Sequence, residues 1–236
     1  MHTPPPSCTP IKPLPNKRDT LRRIAQAARH EFVSKGLADA RVEDIAHAAG
    51  VTKQLVYHYF HSKEELFACV LDESSAQAMD ALVSLELGHL PPRDALRALL
   101  QRMVQPYREG ALSVLAQEGV RFHQSRTTPR NSFTELAPHL RTKMKETLDR
   151  GIASGDFRAD VDPGMLLALS ALATTGAWVN RYTVSTLCGL DMASAPDADA
   201  WRRFSVEFVL SALERERTDR HPLAQSAAAL SAPGSD

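Results

Sequence analysis

Three observations predict an all-α fold. Apolar residues recur at steps of three and four through most of the chain, no segment sustains the alternation of a strand, and the breaks between periodic stretches carry helix-start and helix-stop residues. The expected architecture is an N-terminal three-helix unit built on a helix-turn-helix, followed by a larger helical domain. The expected divisions are a Pro-rich disordered arm over residues 1–16, the helix-turn-helix domain over 17–67, the larger domain over 68–217 and a disordered tail over 218–236.

The elements follow in order. Pro4, Pro5, Pro6, Pro10, Pro13 and Pro15 remove backbone donors and block helix in the arm. Leu21, Ile24, Ala28 and Phe32 form a stripe along a first helix that stops near Gly36. A short second helix runs from Val42 to Ala49. Gly50 supplies the turn, and Thr52 caps a third helix that ends at Tyr59. Ser62-Lys63-Glu64-Glu65 is a capping box that opens a long fourth helix. Pro91-Pro92 breaks the chain and begins a helix carrying Leu96, Leu99, Leu100 and Met103, which Pro106 and Gly110 end or kink. Ala111 to Ser125 is another apolar-periodic segment, and Arg126 to Asn131 a polar loop. Phe133 to Ser154 is amphipathic through Leu136, Leu140, Met144, Leu148 and Ile152, and Gly155 stops it. Asp162 caps a helix with Pro163 at its first position, reaching about Ser185. Cys188 to Asp197 reads as a loop. Asp199 to Glu216 reads as the last helix, with Trp201, Phe204, Phe208 and Leu213 along it. The tail is of low complexity.

Composition excludes several classes. The 236 residues carry 28 Lys+Arg against 28 Asp+Glu, so nothing binds nucleic acid by bulk charge and any such contact needs a local patch. Three separated cysteines, Cys8, Cys69 and Cys188, make neither a disulfide framework nor a zinc site, which fits a reducing cytosol. No signal peptide opens the chain. The longest apolar run, Met165 to Val179, is interrupted by Ser170, Thr174 and Thr175 and is shorter than the roughly 20 residues that span a bilayer. A soluble cytoplasmic protein with no membrane contact, no metal and no cofactor is expected.

The stretch Ile45 to Leu66 carries the chemistry. Two helices on a Gly-centred turn, the second short and polar, push a row of side chains into a DNA major groove. Lys53 and Gln54 stand in the first turn, where Gln pairs bidentately with adenine and Lys donates to guanine. Thr52, Tyr57 and His58 carry donors for phosphate oxygens. Lys63 opens the next helix, where backbone N–H groups also favour an anion. Leu55, Val56 and Phe60 form the side that docks this helix on the first two. A helical hairpin with a solvated polar face is the plainer alternative.

From Arg23 to Phe67 the chain resembles the TetR family of bacterial transcriptional regulators. The residues that carry the resemblance are Ile24, Ala27-Ala28, Phe32, Gly36, Ile45-Ala46, Ala49-Gly50-Val51, Tyr57, Phe60, Lys63, Glu64, Leu66 and Phe67. Beyond them the likeness is one of outline, with a G-D-F-R-x-D-V-D-P turn from Gly155 to Pro163 and two final amphipathic helices. The resemblance implies a homodimer on a palindromic operator, a ligand pocket in the C-terminal domain, and release of DNA on ligand binding. It places Thr52, Lys53, Gln54, Tyr57, His58 and Lys63 at DNA. Two positions depart from the family pattern. Ala40-Arg41 stand where Thr is frequent before the second helix, so Arg41 takes over the phosphate contact and Asp39 is the candidate cap. Tyr59 stands where His is frequent, which keeps a polar group at that contact.

Other features leave choices open. Arg22 and Arg23 read as a solvated helix start, whereas Lys12 and Lys17 stand open between that and tracking of phosphates. Ala168, Ala171, Ala173, Gly176 and Ala177 let the helix after Pro163 approach another closely. Paired with the last helix about a twofold axis, it forms a four-helix dimer interface. Pocket candidates are Met103, Tyr107, Phe122, His123, Trp178, Asn180, Arg181 and Tyr182, apolar walls with a few polar groups that suit a small organic effector. If His123, Arg126 or Arg181 points inward, an anionic ligand follows. The competing classes are an activator of the same fold, a helical enzyme, for which no catalytic motif is present, and an adaptor, for which the Lys53-Gln54 and Tyr57-His58 row has no purpose.

Overall fold

The computed structural model describes residues 17–108, 115, 119 and 132–214. Among them are nine helices: α1 Lys17–Asp39, α2 Val42–Ala48, α3 Lys53–Phe60, α4 Lys63–Val83, α5 Pro92–Arg108, α6 Ser132–Ser154, α7 Pro163–Val179, α8 Arg181–Cys188 and α9 Ala195–Leu213. Phe122, His123, Arg126, Lys12 and most of the segment from Ala111 to Ser125 lie outside the described residues.

The first core belongs to α1–α4. Ile24, Ala28 and Phe32, each one helical turn after the last, are fully buried on α1. They meet Ile45 from α2, Val56 and Phe60 from α3, and Leu66, Phe67 and Val70 from α4. Phe32 and Phe67 pack edge to face at 5.2 Å, the arrangement that ring quadrupoles favour. Helical geometry in α1 breaks at Gly36 (φ 73, ψ 173), a backbone region that a side chain excludes, so the predicted stop is where the helix ends and a turn follows. After α2, Gly50 (φ 64) closes the turn. Its N–H donates to His47 and that of Val51 to Ala46, the double bond of a Schellman end.

The start of α2 differs from expectation. Asp39 is not its cap: the N-cap position is Arg41, which makes no side-chain capping bond. The buried carboxylate of Glu31 does the work instead. It accepts from the Arg41 amide at 3.3 Å and from Lys35 Nζ at 2.7 Å, which ties α1 to α2.

The second core lies between α4, α5, α6, α7 and α9, around Leu96, Leu99, Leu100, Met144, Leu148 and Leu210. The helix α4 runs through both cores, with Phe67 and Val70 in the first and Met79 and Leu82 in the second. The division expected at residue 67 therefore falls inside one continuous helix. A third cluster of Val104, Ala177, Trp178, Met192 and Ala198 closes the far end. Arg97 and Arg93 on α5 reach Glu207 and Glu214 at the α9 end.

The α5 helix passes through Pro106 to Arg108, short of Gly110, which lies outside the described residues. Three helix limits differ from the sequence reading. The helix from Pro163 does not reach Ser185 unbroken, because Asn180 leaves helical geometry and its side chain donates back to Gly176 O at 3.0 Å, a local bond that competes with the helix. The last helix starts at Ala195, with Pro196 in its first turn, so the loop before it is shorter. It ends at Leu213 rather than Glu216, since Glu214 turns extended and bridges Phe157 while Arg158 N donates to Leu213 O. No helix among the described residues is long and apolar enough to cross a membrane.

Candidate DNA-binding site and effector cavity

The helix α3 has two faces. Val56 and Phe60 are buried against α1, α2 and α4, while Thr52, Lys53, Gln54, Tyr57 and His58 are exposed. Tyr59 is half-buried, its ring edge-on to His58 at 5.2 Å. Leu55, expected in the docking face, is only partly covered. Thr52 Oγ1 accepts from Leu55 N at 3.2 Å, so the cap leaves its hydroxyl proton available to a phosphate. Arg41 is exposed at the start of α2.

Lys53 is held by two neighbours. Its ammonium pairs with Glu43 of α2 and lies 5.7 Å from the centre of the Tyr57 ring. The mutual hydrogen bond raises the Lys53 pKa and lowers that of Glu43. Lys35 pairs with Asp44 at 3.0 Å beside it. Sequence reasoning missed both acids. Glu43 and Lys53 stand on different helices, and only the Gly50 turn brings them together.

Lys63 also makes contacts that the sequence did not reveal. Its Nζ donates to Ala38 O at 3.0 Å and Ala40 O at 3.1 Å, which pins the start of α4 to the turn between α1 and α2. Three donors on an ammonium leave one for an anion. Ser62 caps α4 through Glu65 N at 3.0 Å. In the basic junction, Arg22 pairs with Asp19 at 2.7 Å. Arg23 is not simply solvated: its Nε is buried 3.5 Å from Asp19 Oδ2, too far for a hydrogen bond, and its guanidinium leans on the Gly50 turn.

A cavity of about 810 Å³ opens between α4, α5, α6 and α7. Met103 and Tyr107 line it, with Met79, Leu82, Leu140 and Leu167. Burial pushes the Tyr107 phenol up, against a smaller opposite pull from the Thr175 hydroxyl. Trp178 is not a wall residue. It sits buried behind Tyr107, ring centres 6.2 Å apart. Arg181 and Tyr182 do not reach the cavity, and neither does Asn180. They are exposed on and before α8, because the break at Asn180 turns the chain outward. The cations among the described residues that line the cavity are Arg141 and Lys145, which the sequence analysis did not single out.

Apolar side chains remain uncovered on α7 and α9. Met165, Leu169 and Leu172 follow one face of α7 at 77%, 59% and 71% exposure. Phe204 and Phe208 on α9 are 65% and 62% exposed and stack at 5.9 Å.

A recognition helix on a Schellman turn, joined by one long helix to a cavity-bearing body, defines a helix-turn-helix DNA-binding regulator. A model described as bacterial regulatory proteins, tetR family, matches residues 24–70. Another, described as a tetracyclin repressor-like C-terminal domain, matches residues 92–209. The chain belongs to the TetR family. It is 27% identical over 199 residues to the HTH-type transcriptional repressor NicS of Pseudomonas putida, covering 83% of this chain and 93% of that one. It is 28% identical over 157 residues to the HTH-type transcriptional repressor KstR2 of Mycolicibacterium smegmatis, covering 65% and 73%. The fold is similar to that of SmeT, the repressor of the Stenotrophomonas maltophilia multidrug efflux pump SmeDEF, with a TM-score of 0.58, 21% identity and coverage of 84% and 94%.

Proposed function

We propose that this protein is a homodimeric transcriptional repressor that binds a palindromic operator and is released from it by a small organic effector. It acts in the cytoplasm as a regulator and not as an enzyme. The observation that carries the reading is the exposed row Lys53, Gln54, Tyr57 and His58 on a helix whose opposite face is buried. Gln54 and Lys53 read base edges, Thr52, Tyr57, His58, Tyr59 and Arg41 hold phosphates, and the remaining proton of Lys63 adds one such contact. The names of the relatives above, both repressors, support the sign of regulation.

Residues 17–67 form the DNA-binding domain and 68–217 the effector and dimerisation domain in this reading. The uncovered faces of α7 and α9 pair with their symmetry mates as a four-helix interface, which supports the dimer through those two helices. The same α7 carries Leu167, Ala171 and Thr175 on the cavity and Met165, Leu169 and Leu172 on the outer face. An effector pressing on α7 therefore acts on the interface, and α4 carries the change to the heads. Heads on one face of DNA must stand about 34–36 Å apart, or a multiple of that. A ligand that prefers another spacing lowers operator affinity by linkage.

The test is a binding assay on the DNA just upstream of the protein's own gene, across a salt series, with wild type and a Gln54→Ala/Tyr57→Ala variant. Tight, salt-sensitive binding that the variant loses is expected. Equal binding by both proteins would remove α3 from the interface.

A further inference from the structure

We propose that the cavity takes an amphipathic organic acid, an apolar body with one anionic group held at the rim by Arg141. The proposal rests on the effector reading above and names the chemistry of its ligand.

The interior of the cavity is apolar. Met79, Leu82, Met103 and Leu140 are buried and line it. A volume of about 810 Å³ lies within the range that takes a drug-sized molecule, and such walls select its apolar body by removing it from water.

The rim is charged. Arg141 and Lys145 are exposed, line the cavity and stand one helical turn apart on α6, so both lie on the same side of that helix. Like charges at this spacing repel. Lys145 has a carboxylate beside it, with Nζ 2.6 Å from Asp149 Oδ2. Arg141 has no acid or carbonyl paired with it among the described residues. The acid that lines the rim, Asp162, is already engaged. Its Oδ1 accepts from Met165 N at 2.7 Å, at the positive end of α7, where the helix dipole compensates its charge.

Arg141 is thus the cation left to meet a ligand among the described lining residues. A guanidinium presents a planar fork that matches a carboxylate with two parallel hydrogen bonds. Its place at the rim decides how the ligand lies. The anionic group stays against Arg141 with water on its other side, and the body fills the cavity, so no charge is buried. Besides the rim ions, the polar groups among the described lining residues are the Tyr107 phenol and the hydroxyls of Ser75, Thr142 and Thr175. The phenol, pushed up by burial, stays neutral and suits a neutral oxygen on the body better than a second anion.

Trp178 against Tyr107 supplies a fluorescence reporter of occupancy. The full-length protein is titrated with decanoate and with 1-naphthoate, each against its neutral primary amide, in wild type and Arg141→Gln. Release of the upstream DNA fragment is read in parallel. At least one acid should bind about tenfold more tightly than its amide, and Arg141→Gln should erase most of that preference while helicity is unchanged. If neither acid outbinds its amide, the proposal is overturned; release of DNA by the amides would then leave the effector reading standing. An acid preference that survives in Arg141→Gln also overturns the proposal. An acid that binds selectively without changing operator affinity supports the ligand class and refutes the effector reading.

Discussion

Replacing Phe208 with Ala should dissociate the proposed dimer while leaving the protomer folded. Phe208 is 62% exposed in the protomer and stacks on Phe204, itself 65% exposed, so neither ring is part of the protomer's own core. A fully buried Phe removes about 200 Å² from water. At 62% of that, association covers about 120 Å² more per ring, or about 3 kcal/mol at 25 cal/mol per Å². Twofold symmetry doubles the loss to about 6 kcal/mol, an upper bound that incomplete burial lowers toward half. The dimer dissociation constant should rise by about two to four orders of magnitude. Sedimentation equilibrium across a concentration series measures it, and circular dichroism confirms retained helix. Operator binding should become steeply dependent on protein concentration, because a lone head makes only half the contacts. A dissociation constant that moves less than about threefold would refute the pairing through α9.

Three further outcomes are expected. Gly151→Ala should lower stability by about 3 kcal/mol, since a Cβ there would stand 1.9 Å from Phe157 Cδ2 and force that buried ring off α6; an unfolding free energy from urea titration changed by less than about 1 kcal/mol would contradict the packing. Lys63→Met, which keeps the stem and removes the ammonium from Ala38 O and Ala40 O, should cost about 1 kcal/mol of stability and weaken binding to all DNA sequences alike; weaker DNA binding at an unchanged melting temperature would assign Lys63 to phosphate alone. Glu43→Gln should free the Lys53 charge, raise DNA affinity at low salt and steepen the salt dependence; an unchanged affinity and slope would show that the Glu43 pair does not restrain Lys53 at DNA. In the wild type this pair is present above the ordinary Glu value of 4.5 and is lost only as pH falls through the lowered Glu43 value, so from about pH 6 to about pH 8, all above both values, the Glu43 effect on DNA binding should be flat.

How far the residues alone carried the fold depends on how local the signal was. Gly36, Gly50, Thr52, Ser62, Asp162 and Gly155 act through their own backbone or within one turn, and each stands where its helix starts or stops. Asn180, Pro196 and Glu214 were misjudged. Asn180 breaks its helix with a side-chain bond that a periodicity count does not register, and Glu214 ends α9 by pairing with Phe157, far away in sequence. The exposed row of α3 was legible because a recognition helix must keep one face apolar and the other polar, which is a pattern of period 3.6.

The sequence by itself determined the helical class, the helix-turn-helix, the polar row on α3 and the apolar stripes that build two cores, because periodicity and caps are written within a few residues of where they act. Tertiary structure alone decided what depends on distant partners. It gave Lys63 to the carbonyls of Ala38 and Ala40 and Lys53 to Glu43. It turned Arg181 and Tyr182 away from the cavity and put Arg141 and Lys145 on its rim. It divided α7 into a cavity face, a core face and an uncovered face. An amphipathic helix announces that it has an apolar side, but which neighbour covers that side is set by how the other helices pack.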